Sequence, residues 1–137
     1  MAAKNVVSQE EYETLATFRY QLRRFLRFSE AAARRVGLTP QQHQALLAIK
    51  GFPERDYVTI GELAERLQIK HHSAVGLVDR LVAQELVTRE AATEDRRQVY
   101  ITLTARGTEL LSELTVAHKE ELRRMGVTLQ KLLEQIK

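Results

Sequence analysis

Four histidines, His43, His71, His72 and His118, are the side chains of this sequence best suited to metal or acid–base chemistry. His71 and His72 are adjacent, so on a helix they point to different sides, and His43 and His118 fall on separate predicted helices. Neither an i, i+4 ligand pair nor a His–Glu cluster emerges, and the reading is no metal and no cofactor. A hydrolytic triad built on Ser73 has no nucleophile elbow and no glycine-rich oxyanion loop to support it. No catalytic residue is assigned, and the chain is read as not an enzyme. Zero cysteines remove disulfides, thiolate metal sites, a cysteine nucleophile and thiol-based redox sensing together.

What remains is the chemistry of cations and hydrogen-bonding groups. One set is Lys70, His71, His72, Ser73, Gly76 and Arg80; the other is Asp95, Arg96 and Arg97. Both are suited to the edges and phosphates of a nucleic acid. The net charge of +3 leans basic but is too mild to require a polyanion. Residues 51–97 carry seven basic against nine acidic side chains. Binding there would lean on a few placed cations, not on a basic surface.

The elements that must position these residues follow from caps and periodicity. Ser8-Gln9-Glu10-Glu11 is a capping box and predicts a long helix. Its apolar face is Leu15, Phe18, Leu22, Phe25, Leu26 and Ala33, and Gly37 ends it as a left-handed cap. Thr39-Pro40-Gln41-Gln42 opens a second helix with Ala45, Leu46 and Ile49 inward and Gly51 as the stop. Residues 52–58 carry Pro53 and Asp56 and read as a loop. Thr59-Ile60-Gly61-Glu62 is a third box, opening a short helix with Leu63, Ala64 and Leu67, which stops near Gln68. After a tight turn, a helix over 71–84 places Ala74, Leu77, Val78 and Leu81 at i, i+3, i+4 and i+7. Two short helices so joined make a helix-turn-helix.

Beyond Leu86 the period changes. Leu86-Val87-Thr88-Arg89 and Val99-Tyr100-Ile101-Thr102-Leu103 alternate and are rich in β-branched residues, as hairpin strands should be. A helix-turn-helix followed by a charged hairpin is a winged helix. Thr104 then caps a helix with Leu110, Leu111, Leu114, Ala117, Leu122 and Met125 on its face. Gly126 is expected to break it, leaving 127–137 as a last short helix.

The second helix of a helix-turn-helix enters the major groove, where base pairs expose distinguishable patterns. With the core positions turned inward, His72, Ser73, Gly76 and Arg80 face outward, and Lys70 and His71 stand at the helix start. Arg96 and Arg97 at a hairpin tip suit a narrow minor groove, with Asp95 placed to orient one of them.

At this point the sequence resembles the MarR family of winged-helix transcription regulators along essentially its whole length. Asp95-Arg96-Arg97-Gln98-Val99-Tyr100-Ile101-Thr102-Leu103-Thr104 fits the family's wing pattern, and Gly107 follows at the expected spacing. Leu63-Ala64-Glu65-Arg66-Leu67 with Ile69, and Val78-Asp79-Arg80-Leu81 ahead of Leu86-Val87, resemble its helix-turn-helix. The resemblance implies a mainly α fold with a small β-hairpin wing. Residues 38–103 would be the winged helix-turn-helix DNA-binding domain, and 1–36 with 104–137 the N- and C-terminal dimerisation helices. It further implies a homodimer that binds a palindromic double-stranded DNA operator, usually as a repressor, and is often released by a small aromatic effector. By the same carry-over, Arg97 is the wing arginine oriented by Asp95, His72, Ser73 and Gly76 read bases, and Arg80 supports the contacts. The sequence departs from the family at Gln68 and Glu85, where glycine is common, and at Lys70, where a capping hydroxyl is common.

An effector pocket between the dimer helices and the winged helix is expected to draw on Phe18, Tyr20, Phe25 or Phe28. The arginines of the first helix read as a solvated face. No apolar run reaches the roughly 20 residues of a membrane span, and the N-terminus has no apolar signal core; a cytoplasmic protein without a membrane partner is expected. The competing reading is a winged helix used for protein contacts without operator binding.

Overall fold

The computed structural model describes residues 6–92, 94, 95 and 97–136. The order is α1 (Gln9–Arg35), α2 (Pro40–Lys50), β1 (Tyr57–Val58), α3 (Ile60–Leu67), α4 (His71–Ala83), β2 (Val87–Ala91), β3 (Val99–Leu103) and α5 (Ala105–Glu134). All three capping boxes form: Ser8 with Glu11, Thr39 with Gln42 and Thr59 with Glu62. Each satisfies amide donors that the first turn of a helix leaves free. Gly37 adopts the left-handed conformation at φ 86°. Its N–H reaches Arg34 O and that of Leu38 reaches Ala33 O, closing α1 as a Schellman motif.

The core gathers Leu46 and Ile49 of α2, Leu63 of α3, Leu77, Val78 and Leu81 of α4, and Leu86 and Ile101, all fully buried. The inward positions predicted for α2 and α4 are thus the buried ones. α1 and α5 run antiparallel: Thr14 near the start of α1 lies 2.9 Å from Gln135 beyond the end of α5, and Ser29 lies 2.8 Å from His118. Much of the predicted apolar face of α1 stays exposed, with Leu15, Leu22 and Leu26 all open to solvent, as is Leu122 of α5.

Two expectations are corrected. Residues 52–58 are not all loop, because Tyr57–Val58 forms β1 and pairs with β3, giving a three-stranded antiparallel sheet in the order β1-β3-β2. Pro53 and Asp56 signal the turn, whereas a two-residue strand exists only through its partner. Gly126 does not break the last helix, and α5 is continuous over 30 residues. A glycine costs a helix only about 1 kcal/mol, and Met125 and Leu132 are buried on either side of it.

The junction of wing and α5 explains the Leu-Thr-x-x-Gly pattern. The Thr104 hydroxyl donates to Glu85 O at 2.7 Å and accepts the Gly107 N–H at 3.0 Å, while the Thr104 N–H donates to Leu86 O. Gly107 lies so close to Leu86 that a β-carbon there would stand 2.1 Å from Leu86 O. No helix among the described residues is long and apolar enough to cross a membrane.

Candidate nucleic-acid interface

The turn between α3 and α4 is made without glycine. Gln68 takes the left-handed conformation at φ 55°, and its side-chain amide donates to Glu65 O at 2.8 Å. That extra bond offsets part of the roughly 1–2 kcal/mol that a left-handed L-residue costs. Glu85 also takes the left-handed conformation, after α4, at φ 60°. Lys70 is the N-cap of α4 and makes no side-chain cap. The free donors of that first turn therefore remain turned toward whatever approaches it.

Lys70, His71, His72, Ser73 and Arg80 are exposed, Gly76 is half-buried, and Ala74, Leu77, Val78 and Leu81 hold the helix to the core. The outward set is the one predicted, and Val75 joins it as an exposed apolar group. Its position off the i, i+3, i+4, i+7 row is the signal that marks it.

The wing is β2 and β3 with the segment between them. Asp95 Oδ1 accepts the Arg97 N–H at 3.0 Å and its Nε–H at 3.4 Å, while the Arg97 side chain is 92% exposed. An ion pair this exposed adds little stability. What it does is fix the guanidinium's starting direction. Arg96 lies outside the described residues. Asp79 of α4 pairs with Arg89 of β2, so the helix and the first wing strand are joined directly, a link that neither residue signals in the sequence.

A second site lies behind the helix-turn-helix. A cavity of about 280 Å³ is lined by Phe25, Leu26, Ser29, His43, Leu47, His118 and others from α1, α2 and α5. Of the four aromatics expected in a pocket, Phe25 lines it. Phe28 packs edge-on against His118 at 5.3 Å, whereas Tyr20 is exposed under Arg24. The rings of His43 and His118 stand 4.8 Å apart. His118 Nδ1 faces the Leu114 carbonyl at 2.6 Å, and its Nε2 lies 2.8 Å from the Ser29 hydroxyl. His43 is buried with Nδ1 unpartnered, and burial together with the nearby His118 lowers its pKa.

The architecture defines a winged-helix protein with two long helices appended. Residues 36–98 match the model of the MarR family. The HTH-type transcriptional repressor MdtR of Bacillus subtilis is 30% identical over 83 residues, 61% of this chain; the chain spans 52% of that protein's length. A MarR family protein from Bacillus stearothermophilus superposes with a TM-score of 0.77 at 19% identity, covering 96% of each chain. A mutant of S. aureus MepR, solved bound to an oligodeoxyribonucleotide, gives 0.70 at 21% identity over 89% of this chain and 96% of that one. Residues 36–98 thus match the MarR family, and the chain as a whole has the winged-helix fold of its solved members.

Proposed function

We propose that this chain is a sequence-specific DNA-binding transcriptional regulator acting as a homodimer on a palindromic operator. In this reading α4 lies in the major groove. His72, Ser73 and Gly76 meet base edges there, Val75 meets a thymine methyl, and Lys70, His71 and Arg80 meet phosphates or support the contacts. Arg97, set by Asp95 and with Arg96 beside it in the chain, enters the minor groove. Residues 38–103 bind DNA and residues 1–36 with 104–137 dimerise. Repression, as in MdtR, is the proposed direction of control, and a small aromatic effector in the α1–α2–α5 cavity is the proposed release signal. A cytoplasmic location goes with this role.

The observation that carries the reading is the Asp95–Arg97 pair: Asp95 Oδ1 takes both the backbone N–H and the Nε–H of Arg97, yet the Arg97 side chain is almost wholly open to solvent. A wing that bound protein would more often present apolar groups at this place. Dimerisation is supported by Leu15, Leu22 and Leu26 on α1 and Leu122, Leu133 and Ile136 at the other end of the chain, all exposed in the single chain. The MepR mutant, a protein of the same fold, is known bound to an oligodeoxyribonucleotide.

Selection of bound duplexes from a random library tests this. The expected result is an inverted repeat with half-sites about one helical turn apart. Failure to enrich any motif at low salt would move the assignment to a protein-binding winged helix.

A further inference from the structure

The described end of the wing, Glu94, Asp95 and Arg97, is held mainly by contacts within the wing. The Ala92 N–H reaches Gln98 O, the Gln98 N–H reaches Asp95 O, and Asp95 holds Arg97. Among the described residues, one side-chain hydrogen bond leaves this tip for the body of the domain. It runs from the Tyr100 hydroxyl on β3 to Glu94 Oε2, at 3.3 Å.

Tyr100 is itself braced. Its ring lies 4.3 Å from that of Tyr57 on β1. Arg55 sets its guanidinium 4.8 Å from the Tyr57 ring and 4.3 Å from that of Phe52, and pairs with Glu62. Glu62 in turn accepts the Thr59 N–H in the box that starts α3. An unbroken series of contacts thus runs from the first turn of the helix-turn-helix through two stacked tyrosines to the residue next to Asp95. Arg55, held by two rings and a carboxylate, is occupied as a strut.

We propose that Tyr100 is a positioning residue for DNA binding, whose hydroxyl, through Glu94, fixes the Asp95–Arg97 tip relative to the helix-turn-helix. The proposal rests on the reading that Arg97 engages DNA. Without the hydroxyl the tip stays attached through the strands but loses its side-chain tether, and the cost appears on binding, when the tip must be ordered.

The test uses the duplex most enriched by the wild-type protein. Tyr100→Phe keeps the ring stack, so its thermal midpoint should match wild type while affinity falls about three- to tenfold, the range of one hydrogen bond. In an Arg97→Ala background the same change should cost nothing further. Glu94→Ala should bind several-fold more weakly than Glu94→Gln, which has the same charge but keeps an acceptor for the hydroxyl. Tyr100→Phe binding as wild type while Arg97→Ala is weakened would overturn the tether alone. An equal loss in both backgrounds would also overturn it, because the hydroxyl would then act on something other than the tip. A silent Arg97→Ala would remove the wing from the interface, and the parent reading with it.

Discussion

Asp79 on α4 and Arg89 on β2 form an ion pair that joins the helix carrying the outward polar set to the first strand of the wing. Both side chains are more than a third exposed, so the pair contributes little to stability, of order 0–1 kcal/mol. Its consequence is geometric: it links the two arms that, in the proposed function, reach adjacent grooves together. Asp79→Ala should leave the urea unfolding midpoint nearly unchanged and weaken binding of the selected duplex. Charge alone predicts the opposite sign, because deleting a carboxylate near a polyanion strengthens binding. Tighter binding by the variant would therefore refute the geometric role.

Gly76 offers a separation of fold from function. A β-carbon there would meet only Arg80 Nη1 at 3.7 Å, an ordinary contact. The fold has room for alanine, and Gly76→Ala should raise stability by about 0.5–1 kcal/mol. In the proposed DNA complex the backbone at that position is the surface that approaches DNA, so binding should fall nonetheless. A variant both more stable and equally tight would show that the glycine is unused.

The two glycines of α5 should respond in opposite directions. Gly107→Ala pushes a β-carbon against the Leu86 carbonyl, which as backbone has little freedom to yield, and should cost about 1–3 kcal/mol or more in chemical denaturation. At Gly126 a β-carbon meets nothing within 4 Å, so Gly126→Ala should stabilise by about 0.5–1 kcal/mol.

His43 gives a signed pH dependence. Burial and the neighbouring His118 lower its pKa in the folded state below 6.5, so the folded protein favours the neutral ring. That contribution is complete above the unfolded value and is lost as pH falls through the lower folded value, where the unfolded chain takes up the proton first. Denaturation midpoints from about pH 7.5 down to about pH 5.5 should fall more steeply for wild type than for His43→Leu. Parallel curves would contradict the assignment.

Much of this is legible in the sequence because the signals are local. A hydroxyl and a carboxylate or amide three residues apart mark a helix start wherever they occur, and Ser8, Thr39 and Thr59 do so here. The inward row of α4 is equally local, and fixing it fixes the outward set. What escapes depends on partners distant in the chain. Tyr57 and Val58 are a strand only because β3 lies beside them. His43 and His118 meet only because α2 and α5 pack on the same side of α1. Arg89 reads as an alternating strand residue until Asp79 is seen opposite it. Gly126 misleads for an energetic reason: one unfavourable residue does not outweigh the burial of Met125 and Leu132 around it.

The most direct test of the central claim, that α4 and the wing together grip DNA, is the affinity of wild type and Arg97→Ala for the selected duplex across a salt series. If the wing arginine occupies the minor groove, the variant should lose about 1–3 kcal/mol, and its salt slope should fall by about one. An Arg97→Ala protein that binds with the affinity and salt dependence of wild type would contradict the account.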